Sequence, residues 1–330
     1  MEYSGPTIFE LGENQALKNA LGVFKSVPST LVGSGDDAAV IGLSDPRFVV
    51  TTDTLVQDHD FRLDLSSGYD LGFKAVASNI ADVVAMGARS IALTVAMVVT
   101  KETRQSWLED FARGLQAGLD ELAPTAEIVG GDLASGNQVV IAVAANGELI
   151  AEPILRSGAK PGDQVAICGT LGKAAAGLDL LLHEDKTLAA SYPELVEVQL
   201  RPTPPVELAL DAATTATAMM DISDSLALDA NRMARASNVA INLHISKLFG
   251  YQAVLELAAQ SINSRGGNQV SELDWVLFGG EDHSFLTTFP HGQEIPKGFK
   301  VVGEVLEADE PMALLDGEPL EAKGWDSVSS

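Results

Sequence analysis

Five short acidic motifs carry the residues of this chain best suited to chemistry: Gly35-Asp36-Asp37, Thr51-Thr52-Asp53, Asn79 with Asp82, Gly130-Gly131-Asp132 and Asp221-Ile222-Ser223-Asp224. Singly, each has a plain account. An aspartate in a glycine-flanked turn bonds its own backbone, and Asp221 or Ser223 ahead of a helix is a natural N-cap. Together they point elsewhere. Asp53 is expected at a strand end, its side chain leaving the sheet beside threonine hydroxyls and carbonyl oxygens, the hard donors Mg²⁺ prefers. Asn79 and Asp82 are three residues apart, hence on one helix face, among the small or apolar Ala75, Val76 and Val83. Such a polar pair needs a partner, because an unpaired buried carboxylate is expensive. Converging carboxylates with few basic residues imply several divalent cations, which let an acidic protein hold polyphosphate. The chemistry implied is phosphoryl transfer.

Composition narrows the partners. The 330 residues include 46 Asp and Glu against 21 Lys and Arg, a formal charge of −25, which disfavours nucleic acid and anionic membranes. The common phosphate cradles are missing. Gly172-Lys173-Ala174 lacks the hydroxyl of a P-loop, and Gly33-Ser34-Gly35-Asp36-Asp37-Ala38 opens a strand and would set two carboxylates against a pyrophosphate. The five histidines form no H-x-x-x-H pair, and there is no G-x-S-x-G elbow. The single cysteine, Cys168, lies in the strand-like Val165-Ala166-Ile167-Cys168 and reads as a small buried hydrophobe in a reducing compartment. The N-terminus lacks the basic start and apolar stretch of a secretory signal, and the most apolar segment, residues 91–99, is far short of the roughly 20 residues of a membrane span. A cytoplasmic protein is expected.

The elements that must position these motifs follow from periodicity. Residues 13–24 read as a helix, and 38–43 and 48–52 as strands. Leu71, Ala75, Val76, Ile80, Val83 and Val84 recur at helical spacing up to Gly87, a strand covers 91–99, and Trp107, Phe111, Leu115 and Leu119 mark a second helix. Residues 127–129 run as a strand into Gly130-Gly131-Asp132, and 139–145 read as another. The order is β-β-α-β-α-β, a mixed sheet backed by helices. Turn-rich sequence around Asn146-Gly147-Glu148 places a domain boundary near residue 150, giving domains 1–150 and 151–330. The second half offers helices at 173–182 and about 223–236, the turn Gly279-Gly280-Glu281-Asp282, and a mobile loop at 261–271.

These motifs, with Arg156-Ser157-Gly158-Ala159-Lys160-Pro161-Gly162-Asp163 and the 279–282 turn, occur in an order that resembles thiamine-monophosphate kinases, of the aminoimidazole ribonucleotide synthetase-like ATP-binding superfamily. The resemblance runs from about residue 5 to residue 326. It implies an α/β (α+β), two-domain fold, with an N-terminal mixed sheet that pairs across a homodimer and a C-terminal α/β domain. It implies transfer of the ATP γ-phosphoryl group to thiamine monophosphate, giving thiamine diphosphate, with several Mg²⁺ ions. Metal roles fall on Asp37, Thr51, Thr52, Asp53, Asp82, Asp132, Asp221 and Asp224, with Asp53, Asp82 and Asp224 central to catalysis. Nucleotide contacts fall on Gly131, Asp132, Arg156 and Ser223, and acceptor contacts on Asp60, Glu281 and Trp325. The departures concern the acceptor side: Asp60 stands where the family has histidine, Ser225 where it has glycine, and His283-Ser284 where it has Tyr-Glu. Two alternatives remain, an aminoimidazole ribonucleotide synthetase or a non-catalytic Mg-ATP-binding regulator.

Overall fold

The structure is a computed structural model that describes residues 3–32, 39–266 and 269–325. The chain divides into two compact units: Met1–Val83 with Ala88–Ile150, and Val84–Gly87 with Ala151–Ser330. Among the described residues no helix is long and apolar enough to cross a membrane.

Unit 1 contains, in order, α1 (Ile8–Leu11), α2 (Glu13–Leu21), β1 (Thr30–Val32), β2 (Val40–Ile41), β3 (Phe48–Val56), α3 (Gly68–Ala85), β4 (Ala88–Val99), α4 (Gln105–Leu122), β5 (Glu127–Ser135) and β6 (Val140–Leu149). Four of these strands form a mixed sheet in the order β3-β6-β4-β5, parallel only between β4 and β5. Period-two alternation buries Ile141, Val143 and Ala145 on one face of β6 and leaves Ala142 and Ala144 half-buried on the other. Trp107, Phe111, Leu115 and Leu119 form the buried stripe of α4 as their spacing predicts. Each such side chain contributes roughly 1.5–3 kcal/mol by leaving water.

The contact between α3 and α4 is closer than side-chain packing allows. A Cβ on Gly72 would lie 2.2 Å from the Phe111 carbonyl oxygen, and one on Gly114 2.0 Å from that of Tyr69. Only glycine permits this approach, and helix periodicity gives no sign of it.

Unit 2 continues with β7 (Gln164–Cys168), α5 (Lys173–Leu182), α6 (Thr187–Ser191), α7 (Pro193–Leu200), α8 (Val206–Ala212), β8 (Ala218–Ile222), α9 (Leu226–Ser237), β9 (Ala240–Leu243), α10 (Ile245–Gln252), α11 (Glu256–Arg265), α12 (Glu272–Phe278), β10 (Ser284–Phe289), β11 (Phe299–Leu306), β12 (Met312–Leu315) and β13 (Glu318–Pro319). Its seven-stranded sheet has the order β13-β12-β9-β11-β7-β10-β8, antiparallel except between β9 and β12. Every residue of β8 and β10 is buried, so these strands are covered on both faces. Cys168 is 1% exposed, and burial pushes its thiol up to about 11, in keeping with an inert core residue.

Four expectations are corrected. The strand expected at 48–52 runs to Val56, so Asp53 lies inside it. The strand at 127–129 continues through the glycines to Ser135. Residues 261–265 belong to α11, which buries Ala258, Ala259 and Ile262 along one face, instead of a mobile loop. The helix after Asp224 begins at Leu226 because Ser225, not Asp221 or Ser223, is its N-cap.

Candidate active site

In unit 1, Thr51 and Asp53 pair with Ala145 and Val143 and therefore share the buried face of the sheet. Asp82 comes from α3, and Thr51 Oγ1 donates to its Oδ2 at 2.8 Å, joining two motifs 31 residues apart. Asn79 lies one turn earlier and is fully buried. Its Nδ2 donates to the Ala75 carbonyl at 2.9 Å, while its Oδ1 has no hydrogen-bond partner among the described residues. An orphaned buried oxygen costs about 1–3 kcal/mol. Thr52 faces the opposite side of β3, is exposed, and donates to the Val143 carbonyl at 2.9 Å.

Gly131 and Asp132 are placed by a bulge. Leu93 pairs with Ile128 and Thr94 with Gly130, leaving Val129 as the extra residue of β5. Beyond it the strand leaves the core, and Gly131 and Asp132 are exposed. A Cβ on Gly131 would meet the Val95 carbonyl oxygen at 2.0 Å, so glycine is required for β5 to run this close to β4. Asp60 is engaged within its own loop: Oδ2 accepts the Val56 N–H at 2.8 Å, and Oδ1 lies 2.9 Å from His59 Nδ1. Asp37 lies outside the described residues.

In unit 2, Asp221 belongs to β8 and is 6% exposed. Ser223 and Asp224 form the loop into α9, braced by the fully buried Asp229. Asp229 Oδ2 accepts the N–H groups of Asp224 and Ser225 at 3.2 and 3.3 Å, and Oδ1 accepts from Arg232 at 2.7 Å. The same guanidinium binds Asp224 Oδ2. Burial, and then the charge of Asp221, push the Asp229 carboxyl up to about 6, against the pull of Arg232.

The 279–284 turn lies directly on this loop. Glu281 donates its N–H to the Ser223 carbonyl at 2.8 Å, and its φ of 66° is left-handed, a strained conformation for a non-glycine residue. Its Oε2 accepts from Gln199 Nε2 on α7 at 2.8 Å. Asp282 takes the Thr170 hydroxyl at 2.6 Å and the Lys173 and Ala174 N–H groups at 3.3 Å, so it caps α5. Burial raises its carboxyl pKa, opposed by these donors. His283 Nδ1 lies 3.4 Å from Asp221 Oδ2, and Ser284 Oγ donates to the Thr170 carbonyl. Trp325 donates its backbone N–H to the Asp224 carbonyl at 3.2 Å, and the residue is 40% exposed, so it does not plug the core.

The structure thus gathers Asp221, Ser223, Asp224, Glu281 and Trp325. Arg156 is not among them. Its carbonyl accepts from Ser237 at the far end of α9, and that 12-residue helix is about 18 Å long. Gln199, Asp229 and Arg232 were missed by sequence reading. Arg232 follows Asp229 at i+3, a helix-face pairing that is a usable signal, whereas Gln199 and Glu281 are 82 residues apart and carry none.

The donors fit Mg²⁺. They are carboxylate, hydroxyl and amide oxygens, and among the described residues no three His, Cys, Asp or Glu side chains close on one point. Mg²⁺ commonly takes only one or two carboxylates and completes its shell with water and phosphate oxygens. The orphaned Asn79 Oδ1 is a further hard donor beside Asp82.

Residues 35–149 match the family model "AIR synthase related protein, N-terminal domain". A thiamine-monophosphate kinase of Mycobacterium tuberculosis is 38% identical over 98% of this chain and 93% of its own length. The crystal structure of the Stenotrophomonas maltophilia enzyme of that name superposes with a TM-score of 0.75 at 29% identity, covering 93% of this chain and 96% of that one. AaThiL complexed with AMPPCP and TMP gives a TM-score of 0.75 at 28% identity, covering 98% and 99%. Matched at 38% identity over 98% of its length, the chain belongs to the thiamine-monophosphate kinase family.

Proposed function

We propose that this protein phosphorylates thiamine monophosphate with ATP, yielding thiamine diphosphate and ADP by direct in-line transfer. The observation that carries the reading is end-to-end similarity to a structure complexed with AMPPCP, an ATP analogue, and TMP. The pairing of Thr51 with Asp82, and the meeting of Asp221, Asp224 and Glu281 around one loop, support it.

The acceptor needs no strong base from the protein, because the second pKa of a phosphate monoester is about 6 and the nucleophilic oxygen is already largely ionised. No catalytic histidine is therefore required. In unit 1 Asp37, Thr51, Asp53, Asp82 and Asp132, and in unit 2 Asp221 and Asp224, would hold magnesium ions; Thr52, whose side chain faces the other side of β3 and bonds the Val143 carbonyl, would not. Bound Mg²⁺ supplies positive charge that screens the two polyanions and offsets charge developing in transfer. Nucleotide contacts are assigned to Gly131 and Asp132 in unit 1 and to Ser223 in unit 2, whereas Arg156, anchored at the far end of α9 from Ser223, is not placed with it. Glu281, fixed by Gln199 and the Ser223 carbonyl, orients the acceptor, and Trp325 offers an indole face to its heterocycles. For Asp60, engagement within its own loop favours shaping that loop.

Residues 1–150 form the metal, nucleotide and dimerisation half, and 151–330 the second half, in a cytoplasmic homodimer. Exposed Phe48 and Val50, at 55% and 63%, support pairing of the open sheet face with a second copy. Incubation with γ-labelled ATP, thiamine monophosphate and Mg²⁺ is expected to give labelled thiamine diphosphate, abolished by chelator. Mg-ATP binding without that product, or turnover only with an aminoimidazole ribonucleotide precursor, overturns the reading.

A further inference from the structure

We propose that Ser225 and Gly324 form a latch that positions Trp325 for the acceptor, a role that rests on reading Trp325 as an acceptor contact. Residues 321–325 form neither helix nor strand, so side-chain and backbone anchors must hold them. Ser225 is fully buried, and its hydroxyl works in both directions. It accepts the Leu228 N–H at 3.0 Å as the N-cap of α9 and donates to the Lys323 carbonyl at 2.7 Å. Two residues on, the backbone N–H of Trp325 reaches the Asp224 carbonyl. Between these anchors Gly324 lies flat on the loop: a Cβ there would meet Ser225 Oγ at 2.6 Å and the Asp224 oxygen at 2.8 Å.

The same loop carries Ser223 and Asp224, so the hydroxyl ties the segment bearing the indole to the backbone beside the phosphate-handling residues. The ligand class that suits this placement is a phosphate ester with a flat, cationic heterocycle, which stacks on an indole while its phosphate lies toward the aspartates. Ser225 and Gly324 are positioning residues and need not touch substrate.

Each side of the latch can be broken separately. Glycine is nearly as good an N-cap as serine, so Ser225→Gly removes the tail anchor and leaves α9 capped. Gly324→Ala lifts the segment from the other side. Both variants are expected to raise KM for thiamine monophosphate roughly 5- to 30-fold while KM for ATP stays within about twofold. Both should also increase acrylamide quenching of tryptophan fluorescence, since Trp107 and Trp275 are 6% and 5% exposed and Trp325 dominates the quenchable signal. In a Trp325→Ala background, Ser225→Gly should add nothing. Unchanged quenching, or an equal rise in both KM values, overturns the latch. If Trp325→Ala itself leaves KM for the acceptor unchanged, the reading of Trp325 fails, and quenching alone then decides whether the latch exists.

Discussion

Asp53 and Asp82 are held by backbone that is fixed without them, whereas Asp224 and Glu281 are held by side chains reaching across loops. In unit 1 the strand ladder sets Asp53, and a glycine-lined helix contact sets the height of α3 and hence of Asp82. In unit 2 one buried carboxylate, Asp229, collects two loop N–H groups and Arg232, while Gln199 and Ser225 fix Glu281 and the tail. A scaffold of the first kind tolerates little change in its neighbours. One of the second kind can be retuned one hydrogen bond at a time, and the departures at Ser225, His283 and Ser284 fall there, while the one at Asp60 falls in a loop of unit 1.

The largest effect should come from the first kind of site. Asp53→Asn or Asp82→Asn is expected to lower kcat by about 10²–10³-fold or more, with a thermal midpoint close to wild type. A rate within tenfold would remove that residue from the metal set. Next, Gly114→Ala should destabilise the protein by about 2–4 kcal/mol in urea titration, although alanine is the better helix former. A neutral result would mean that the helices are not fixed by backbone contact, and the contrast between the units would dissolve.

Smaller and of a different kind is Gln199→Ala. It should raise KM for the acceptor roughly tenfold, about 1.5 kcal/mol for one hydrogen bond to a charged group, with little change in KM for ATP or in stability. A large loss of stability instead would make the second region as rigid as the first.

Smallest is His244, in unit 2 but away from the Asp224 and Glu281 loops, whose ring nitrogens lie 3.0 Å from Glu304 Oε2 and 3.3 Å from Asp316 Oδ1. The bond to Glu304 raises its pKa, against partial burial. Its stabilisation is therefore complete below the unfolded value of about 6.5 and is lost as pH rises through the higher folded value. His244→Asn should cost on the order of 0.5 kcal/mol at pH 6 and less at pH 9, measured by paired denaturation curves. A greater cost at pH 9 would reverse the assignment.

What was legible in the sequence was local. Helical spacing put Asn79 and Asp82 on one face of a buried helix, and the structure agrees. The strand carrying Asp53 was read too short because a charged residue ends a β-branched and apolar pattern, yet β3 continues through Asp53 to Val56 as an edge strand paired on one side with β6. Gly130-Gly131 looked like a break, but a bulge lets pairing continue. The polar run 261–271 hid one apolar stripe. Nothing local announces that Gln199 meets Glu281 or that Ser225 meets Lys323, because both contacts are closed by tertiary structure across 82 and 98 residues.

The glycines between α3 and α4 have a consequence for engineering and for sequence drift. Replacing helical glycine by alanine is a standard route to thermostability, and by propensity Gly72 and Gly114 would head any such list. Here the added methyl would strike a carbonyl of the opposite helix, and no smaller residue exists to compensate on the other side. The helix pair is thus closed to gradual improvement, and the spacing that carries Asp82 can change only by parting the two helices at once.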